Sequence, residues 1–230
     1  MADQAVILAR VAERAERYDE MADFMKQRVE AGGALTSEER DMFSAAFKNA
    51  LTGRRQAVRI AASVAQQENA EGREGNSELA QGYRSKVETE LRGICEKALG
   101  LLESTLVPSA STSEDKTFYL KMQGDYHRYA AEFAQGEARA SSAQKAAAAY
   151  QAGMEEAKSM SAAHPIHLGL ALNFSVFQHE VLQETVPAQT TATTAYNNAV
   201  NDLPGLSEEA QADAQLTMQL LMDNLQLWQQ

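Results

Sequence analysis

Three basic side chains recur at helical spacing in the N-terminal part of the sequence. Lys48 and Arg55 are seven residues apart, about 20° short of two full helical turns, and Arg59 follows one turn later. These cations would share one helix face, whereas Arg54 points elsewhere. Such a stripe could bind an anionic group such as phosphate. It could equally be a solvated face whose cations form ordinary ion pairs.

A second cluster combines a carboxylate, a guanidinium and a phenol within one short segment. Asp125 lies three residues before Arg128 and four before Tyr129, so on a helix its carboxylate can accept hydrogen bonds from both. An oriented guanidinium beside a phenol would form an anion clamp, because its planar fork matches the geometry of phosphate. The alternative is a structural Asp–Arg pair with Tyr129 packed in the core.

Each of two further segments places an asparagine beside apolar residues at near-helical spacing. The first segment contains Leu172, Asn173, Val176 and Glu180, and the second contains Thr217, Leu220, Asn224 and Leu227. A buried amide needs hydrogen-bond partners, and the backbone of an extended peptide lying in a groove would supply them. The alternative is a core stripe whose asparagines are satisfied locally.

The elements that would position these residues are helices. Prolines number only 4 in 230 residues, aromatic residues make up 7%, and apolar residues recur at intervals of three and four. Breaks are predicted at Gly32-Gly33, 68–75, 107–113, Gly136, His164-Pro165, Val186-Pro187 and 203–205. Thr36 and Glu39 fit a capping box at the start of a long helix, and Ser207 precedes two glutamates in a first turn. These signals predict about nine helices, and no segment shows the alternating pattern typical of a strand.

Composition excludes several classes of protein. A net charge of -11 argues against a general nucleic-acid binder, because phosphate backbones favour a basic surface. Cys95 is the single cysteine, which excludes an intramolecular disulfide and a multi-cysteine metal site. No apolar run approaches the roughly 20 residues of a membrane span, and the N-terminus is not typical of a signal peptide. We therefore expect a cytoplasmic protein without membrane insertion, and its presence in the nucleus as well is left open.

Four longer motifs resemble the 14-3-3 family and occur in the family's order nearly from end to end. They lie at 39–59, 118–129, 164–177 and 218–228. The resemblance implies an all-α fold of nine antiparallel helices, forming a cup-shaped protomer with an amphipathic groove. It also implies a single 14-3-3 domain over 1–230, with dimerisation helices at about 1–90 and the peptide-binding groove at about 38–230.

The resemblance further implies a phosphoserine- and phosphothreonine-dependent adaptor, without catalysis, cofactor or metal, that captures phosphorylated segments of partner proteins. The residues implied to hold the phosphate are Lys48, Arg55, Arg128 and Tyr129. Those implied to hold the peptide backbone and form the groove are Asn173, Asn224, Leu172, Val176, Leu220, Leu227, Arg59, Lys121 and Glu180. In a homodimer or heterodimer, the implied interface residues are Arg17, Glu20, Lys86 and Glu90.

The sequence disfavours two other functions, an enzyme and a helical-repeat scaffold. An enzyme is disfavoured because the sequence lacks glycine-rich phosphate loops and a Gly-x-Ser-x-Gly nucleophile motif. His164 and His167 are better explained as a helix cap and a surface residue than as metal ligands, and Cys95 as a core residue. A helical-repeat scaffold of the TPR kind, which would bind unphosphorylated peptides, is disfavoured by the lack of an internal repeat.

Overall fold

The computed structural model describes residues 2–229, which are mainly α-helical. The nine helices of 13 or more residues are α1 Ala2–Arg14, α2 Tyr18–Glu30, α3 Ser37–Ala70, α4 Glu74–Leu101, α5 Ser113–Phe133, α6 Gly136–Ala157, α7 Pro165–Glu180, α8 Thr185–Asp202 and α9 Glu208–Leu227. Shorter helical turns are π-helical at Leu102–Leu106, α-helical at Val107–Ser109 and 3-10 at Leu203–Gly205. No strand occurs within residues 2–229, and the predicted all-α fold is confirmed.

Side-chain caps fix where several helices begin. Thr36 Oγ1 accepts a 3.2 Å hydrogen bond from the Glu39 backbone N–H, and Glu39 Oε2 accepts one of 2.8 Å from the Thr36 N–H. The predicted capping box at the start of α3 is thereby confirmed. His164 Nδ1 accepts from the Ile166 N–H at 3.3 Å, so this histidine caps α7 as expected. Ser207 caps α9.

Helices α1 to α4 form a first compact unit, which ends at Leu101. Within it α3 packs along α4, α2 packs against α3, and α1 packs against α2. Its largest fully buried side chains are Met21, Met25, Phe43, Phe47, Leu51 and Leu91. Cys95 on α4 is 1% exposed, which confirms its prediction as a core residue.

Helices α5 to α9 belong to a second compact unit, which begins at Leu102. Within it α5 packs along α6, and α7 contacts each of the other four helices. One apolar cluster lies on α6 and α7, and its fully buried members are Ala146, Tyr150, Ala157, Leu170 and Phe177. A second cluster joins α7 to α8 and α9 through residues such as Leu168, Ala192, Met218 and Leu221. Helix α7 therefore contributes to both cores.

One turn lacks the residues that usually signal a break. Helices α1 and α2 are separated at residues 15–17, where Glu16 has a φ of 56° in the left-handed region. Neither glycine nor proline marks that position, so the pattern did not predict the break. The break expected at Val186-Pro187 lies slightly earlier, at 181–184, with Gln183 at a φ of 60°.

Across residues 2–229, no helix is both long and apolar enough to cross a membrane.

Candidate functional site

The basic stripe lies on helix α3 of the first unit. Lys48 and Arg59 are exposed and Arg55 is partly buried, on a helix that runs without interruption from Ser37 to Ala70. Arg54 is directed to other helices. Its two Nη atoms lie 3.0 and 3.1 Å from the Asp19 carboxylate, and its Nε lies 3.2 Å from Glu90 Oε2. These contacts direct Arg54 towards helices α2 and α4.

Arg128 and Tyr129 lie on helix α5 of the second unit. Arg128 is 9% exposed, and its Nε donates a 3.2 Å hydrogen bond to the Tyr150 hydroxyl. Its Nη2 is 3.5 Å from Asp125 Oδ1. The guanidinium carbon lies 4.6 Å from the centre of the Tyr129 ring, within the range of a cation–π contact. The cation is thus oriented by a carboxylate and flanked by a phenol ring.

The Asp125 carboxylate accepts hydrogen bonds from three other side chains. Tyr150 Oη donates at 2.5 Å, Asn173 Nδ2 lies 2.8 and 2.9 Å from the two carboxylate oxygens, and Lys121 Nζ lies 3.1 Å away. We call these residues, together with Arg128, the Asp125 network. Burial by itself would raise the pKa of Asp125, but the nearby Lys121 and Arg128 cations hold that pKa below its usual value. The carboxylate therefore stays ionised at neutral pH.

Tyr150 on α6 is a residue of this cluster that the sequence analysis missed. The Tyr150 hydroxyl donates to Asp125 Oδ1 at 2.5 Å, in addition to the partners expected from spacing along the helix. Tyr150 reaches Asp125 because α5 carries Gly124 at the contact: a Cβ there would lie 2.6 Å from Cδ1 and Cε1 of the Tyr150 ring. A glycine inside an otherwise well-formed helix was the available signal, since it often marks a close approach.

The two asparagine segments lie on α7 and α9, which pack against each other in the second unit. The Nδ2 group of Asn173 donates locally to Asp125, as the alternative interpretation of its stripe allows. Leu172, Val176 and Asn224 are partly buried. On α9, Leu220 and Leu227 are 46% and 64% exposed, so a row of large apolar side chains faces solvent. Glu180 is exposed at the end of α7.

The four residues expected at a dimer interface all lie in the first unit. Arg17 forms an ion pair with Glu20, Glu90 accepts from Arg54, and Lys86 is exposed. The same unit exposes a set of large apolar side chains on α1, α3 and α4. They are Ile7, Leu8, Val11, Ile60, Val64, Leu79 and Tyr83, with exposed fractions from 42% to 75%.

Comparison with known proteins identifies the family. The 14-3-3 protein family model matches residues 8–229. The chain belongs to the 14-3-3 family. It is 49% identical over 230 residues to the 14-3-3-like protein G-BOX factor 14 kappa of Arabidopsis thaliana, covering 98% of this chain and 93% of the relative. It is 48% identical over 232 residues to the 14-3-3-like protein GF14-A of Oryza sativa subsp. japonica, covering 98% and 88%.

Membership of the 14-3-3 family supports a general role as a regulatory adaptor that binds phosphorylated proteins. The structure brings Lys121, Arg128 and Asn173 together around Asp125. It places Lys48, Arg55 and Arg59 on one helix of the other unit. The individual roles of these residues remain predictions. Among residues 2–229, no cluster of three or more His, Cys, Asp or Glu side chains is suited to a metal ion.

Proposed function

We propose that this 14-3-3 protein captures phosphoserine- or phosphothreonine-containing segments of partner proteins and regulates those partners without catalysis. The observation that carries the proposal is Arg128. A guanidinium with 9% exposure is held by Asp125 and Tyr150 beside the Tyr129 ring. A cation oriented in this way before any ligand binds is suited to a doubly charged oxyanion.

In this proposal Lys48, Arg55, Arg128 and Tyr129 bind the phosphate, with Arg59 and Lys121 contributing positive charge nearby. Hydrogen bonds to charged groups contribute about 1.5–3 kcal/mol each, so the four side chains together distinguish a phosphorylated from an unphosphorylated residue. An aspartate in the peptide carries less charge and fewer oxygens, and it should bind far more weakly.

The rest of the peptide would bind along α7 and α9. The exposed Leu220 and Leu227 side chains, with the partly buried Leu172 and Val176, supply apolar surface for the peptide's side chains. Asn173 and Asn224 supply amides for the peptide backbone, and Glu180 flanks the site. An extended segment is best bound in this way, since its backbone groups lose water on binding and need new partners.

We further propose that the chain dimerises through its first unit, with itself or with another family member, and acts in the cytoplasm. Arg17 and Glu20 would form ion pairs with Glu90 and Lys86 of a second protomer. The exposed apolar side chains on α1, α3 and α4 support this proposal, because covering large apolar side chains against a second protomer favours association.

The deciding experiment is a titration with two fluorescent peptides that differ only in the phosphate on one serine. We expect binding of the phosphopeptide and at least roughly 100-fold weaker binding of its unphosphorylated twin. A pull-down from lysate, with and without prior phosphatase treatment, extends the test to whole proteins. A TPR-like scaffold would keep its partners after phosphatase treatment, and equal affinity for the two peptides would contradict phosphate recognition.

A further inference from the structure

We propose that Tyr150 is a positioning residue: its buried hydroxyl links Asp125 to Arg128 and thereby fixes the Arg128 guanidinium for an anionic ligand. This inference rests on the proposed function, because it assigns Tyr150 a part in recognising the phosphate that Arg128 is proposed to bind. Tyr150 itself would not touch the ligand, since its side chain is completely buried.

The hydrogen bonds of the Tyr150 hydroxyl have a fixed direction. An ionised carboxylate can only accept and a guanidinium can only donate. The single hydroxyl proton therefore goes to Asp125 Oδ1 at 2.5 Å, and an oxygen lone pair accepts from Arg128 Nε at 3.2 Å. Phenylalanine in place of Tyr150 would deprive both charged neighbours of a partner at once.

The ring of Tyr150 is closely packed between residues of two other helices. Gly124 leaves space for the ring face, since any Cβ there would approach within 2.6 Å. The ring centre lies 5.6 Å from that of Phe174 and 5.4 Å from that of Phe177, both on α7. Packing on α5 and α7 together determines where the hydroxyl lies.

Tyr150 also determines which edge of the Arg128 guanidinium faces inward. Nε contacts Tyr150 and Nη2 contacts Asp125, so both inward contacts are made by the Nε–Nη2 edge. The N–H donors of Nη1 lie away from the Nε–Nη2 edge that contacts Tyr150 and Asp125. A guanidinium fixed along one edge keeps a defined direction for its remaining donors, which a phosphate requires for paired hydrogen bonds.

The test is a double-mutant cycle with Tyr150→Phe and Arg128→Lys, read as affinity for the phosphopeptide. Tyr150→Phe should weaken binding roughly 10-fold in the natural background, because two hydrogen bonds of the network are lost. Lysine has no Nε–H to contact Tyr150. In the Arg128→Lys background the same change should therefore alter affinity less than about twofold, which is the non-additivity expected of coupled residues.

Controls separate positioning from a general loss of structure. Tyr150→Phe keeps the ring and its packing, and Tyr196→Phe on α8 removes a hydroxyl elsewhere in the second unit and should leave affinity unchanged. Equal fold-losses in the two Arg128 backgrounds would mean that Tyr150 acts independently of Arg128, and the inference would be wrong. Unchanged affinity of Tyr150→Phe, with normal binding by the natural chain, would overturn this inference alone. No phosphopeptide binding by the natural chain would overturn the proposed function as well.

Discussion

The Arg28 guanidinium lies along the Glu39 carboxylate in the first unit, with Nε 2.6 Å from Oε1 and Nη2 3.0 Å from Oε2. Arg28 also donates to the backbone oxygens of Gly32 and Ala34 at 3.0 and 2.9 Å. Glu39 belongs at the same time to the capping box of α3. One largely buried ion pair thus secures both the turn after α2 and the start of the longest helix.

We predict that Glu39→Ala lowers the free energy of unfolding by about 3 kcal/mol, because it leaves the buried Arg28 cation without its carboxylate. Denaturant unfolding measures the change. Glu38→Ala is the matched control: Glu38 pairs with Arg10 at 2.8 Å, but both side chains are at least half exposed. Exposed pairs contribute at most about 1 kcal/mol. Similar losses for the two variants would contradict a special role for Glu39.

The same pair should make stability depend on pH. Burial opposes ionisation of Glu39, but the hydrogen bonds from Arg28 and Thr36 outweigh it and lower the pKa of Glu39. A lowered folded-state pKa means that the contribution is complete above the ordinary glutamate pKa and is lost as the pH falls through the folded value. We therefore expect the difference between the natural chain and Glu39→Ala to be constant from neutral pH down to about 5 and to shrink below about 4.

Arg55→Ala should weaken phosphopeptide binding about 100-fold, or roughly 3 kcal/mol, because about two charge-assisted hydrogen bonds are lost. Arg54→Ala, which removes the neighbouring arginine, is the control variant. Arg54 is directed to Asp19 and Glu90, so its loss should lower the melting temperature and leave the affinity nearly unchanged. If Arg55→Ala bound the peptide as tightly as the natural chain, Arg55 would not belong to the site.

Gly124→Ala should destabilise the chain by about 1–3 kcal/mol, because the new methyl group would overlap the Tyr150 ring and force it away from Asp125. Gly93→Ala provides the comparison within helix α4, where a Cβ would meet no atom within 4 Å. That change should stabilise the chain by about 0.5–1 kcal/mol through helix propensity. Thermal unfolding followed by circular dichroism reports both, and a stable Gly124→Ala protein would contradict the tight contact.

Cys95 should react with thiol reagents only when the first unit opens. Burial raises the pKa of its thiol to about 12, and the thiolate is the reactive form. At pH 8 we expect labelling far slower than that of a small-molecule thiol, and full reactivity after unfolding in urea. Rapid labelling of the folded chain would place Cys95 outside the core.

Val11→Asp should convert the proposed dimer into a monomer, because Val11 is 58% exposed on α1 and a carboxylate there cannot be buried at low cost. The protomer itself should stay folded, since an exposed side chain adds little to its stability. Val200→Asp, at 46% exposure in the second unit, should remain dimeric. Light scattering gives the mass directly, and a dimeric Val11→Asp would argue against this interface.

The helices could be predicted from the sequence because their signals are local. Thr36 with Glu39, His164 before Pro165, and Ser207 all begin helices through contacts within three residues. The turn at Glu16 could not be predicted, since nothing in its neighbourhood favours a left-handed backbone. It depends on how α1 and α2 pack, which no short pattern encodes.

In the candidate site, too, contacts between residues close in sequence could be predicted, and contacts between distant residues could not. Asp125 and Arg128 are one helical turn apart, so their pairing could be predicted from spacing alone. Tyr150 and Asn173 reach Asp125 across 25 and 48 residues of sequence. Their contact depends on tertiary packing. Sequence spacing indicates Tyr129 because it is close by, whereas Tyr150 approaches Asp125 only because Gly124 leaves room for its ring.

The Asp125 network forms between residues of this chain without a ligand, so the Arg128 side chain is ordered before any ligand arrives. Ordering a flexible arginine for each encounter would cost conformational entropy every time, of the order of 1 kcal/mol for such a side chain. Here that ordering is already part of the folded state. An arriving anion would meet an Arg128 side chain that needs no rearrangement, which favours rapid capture.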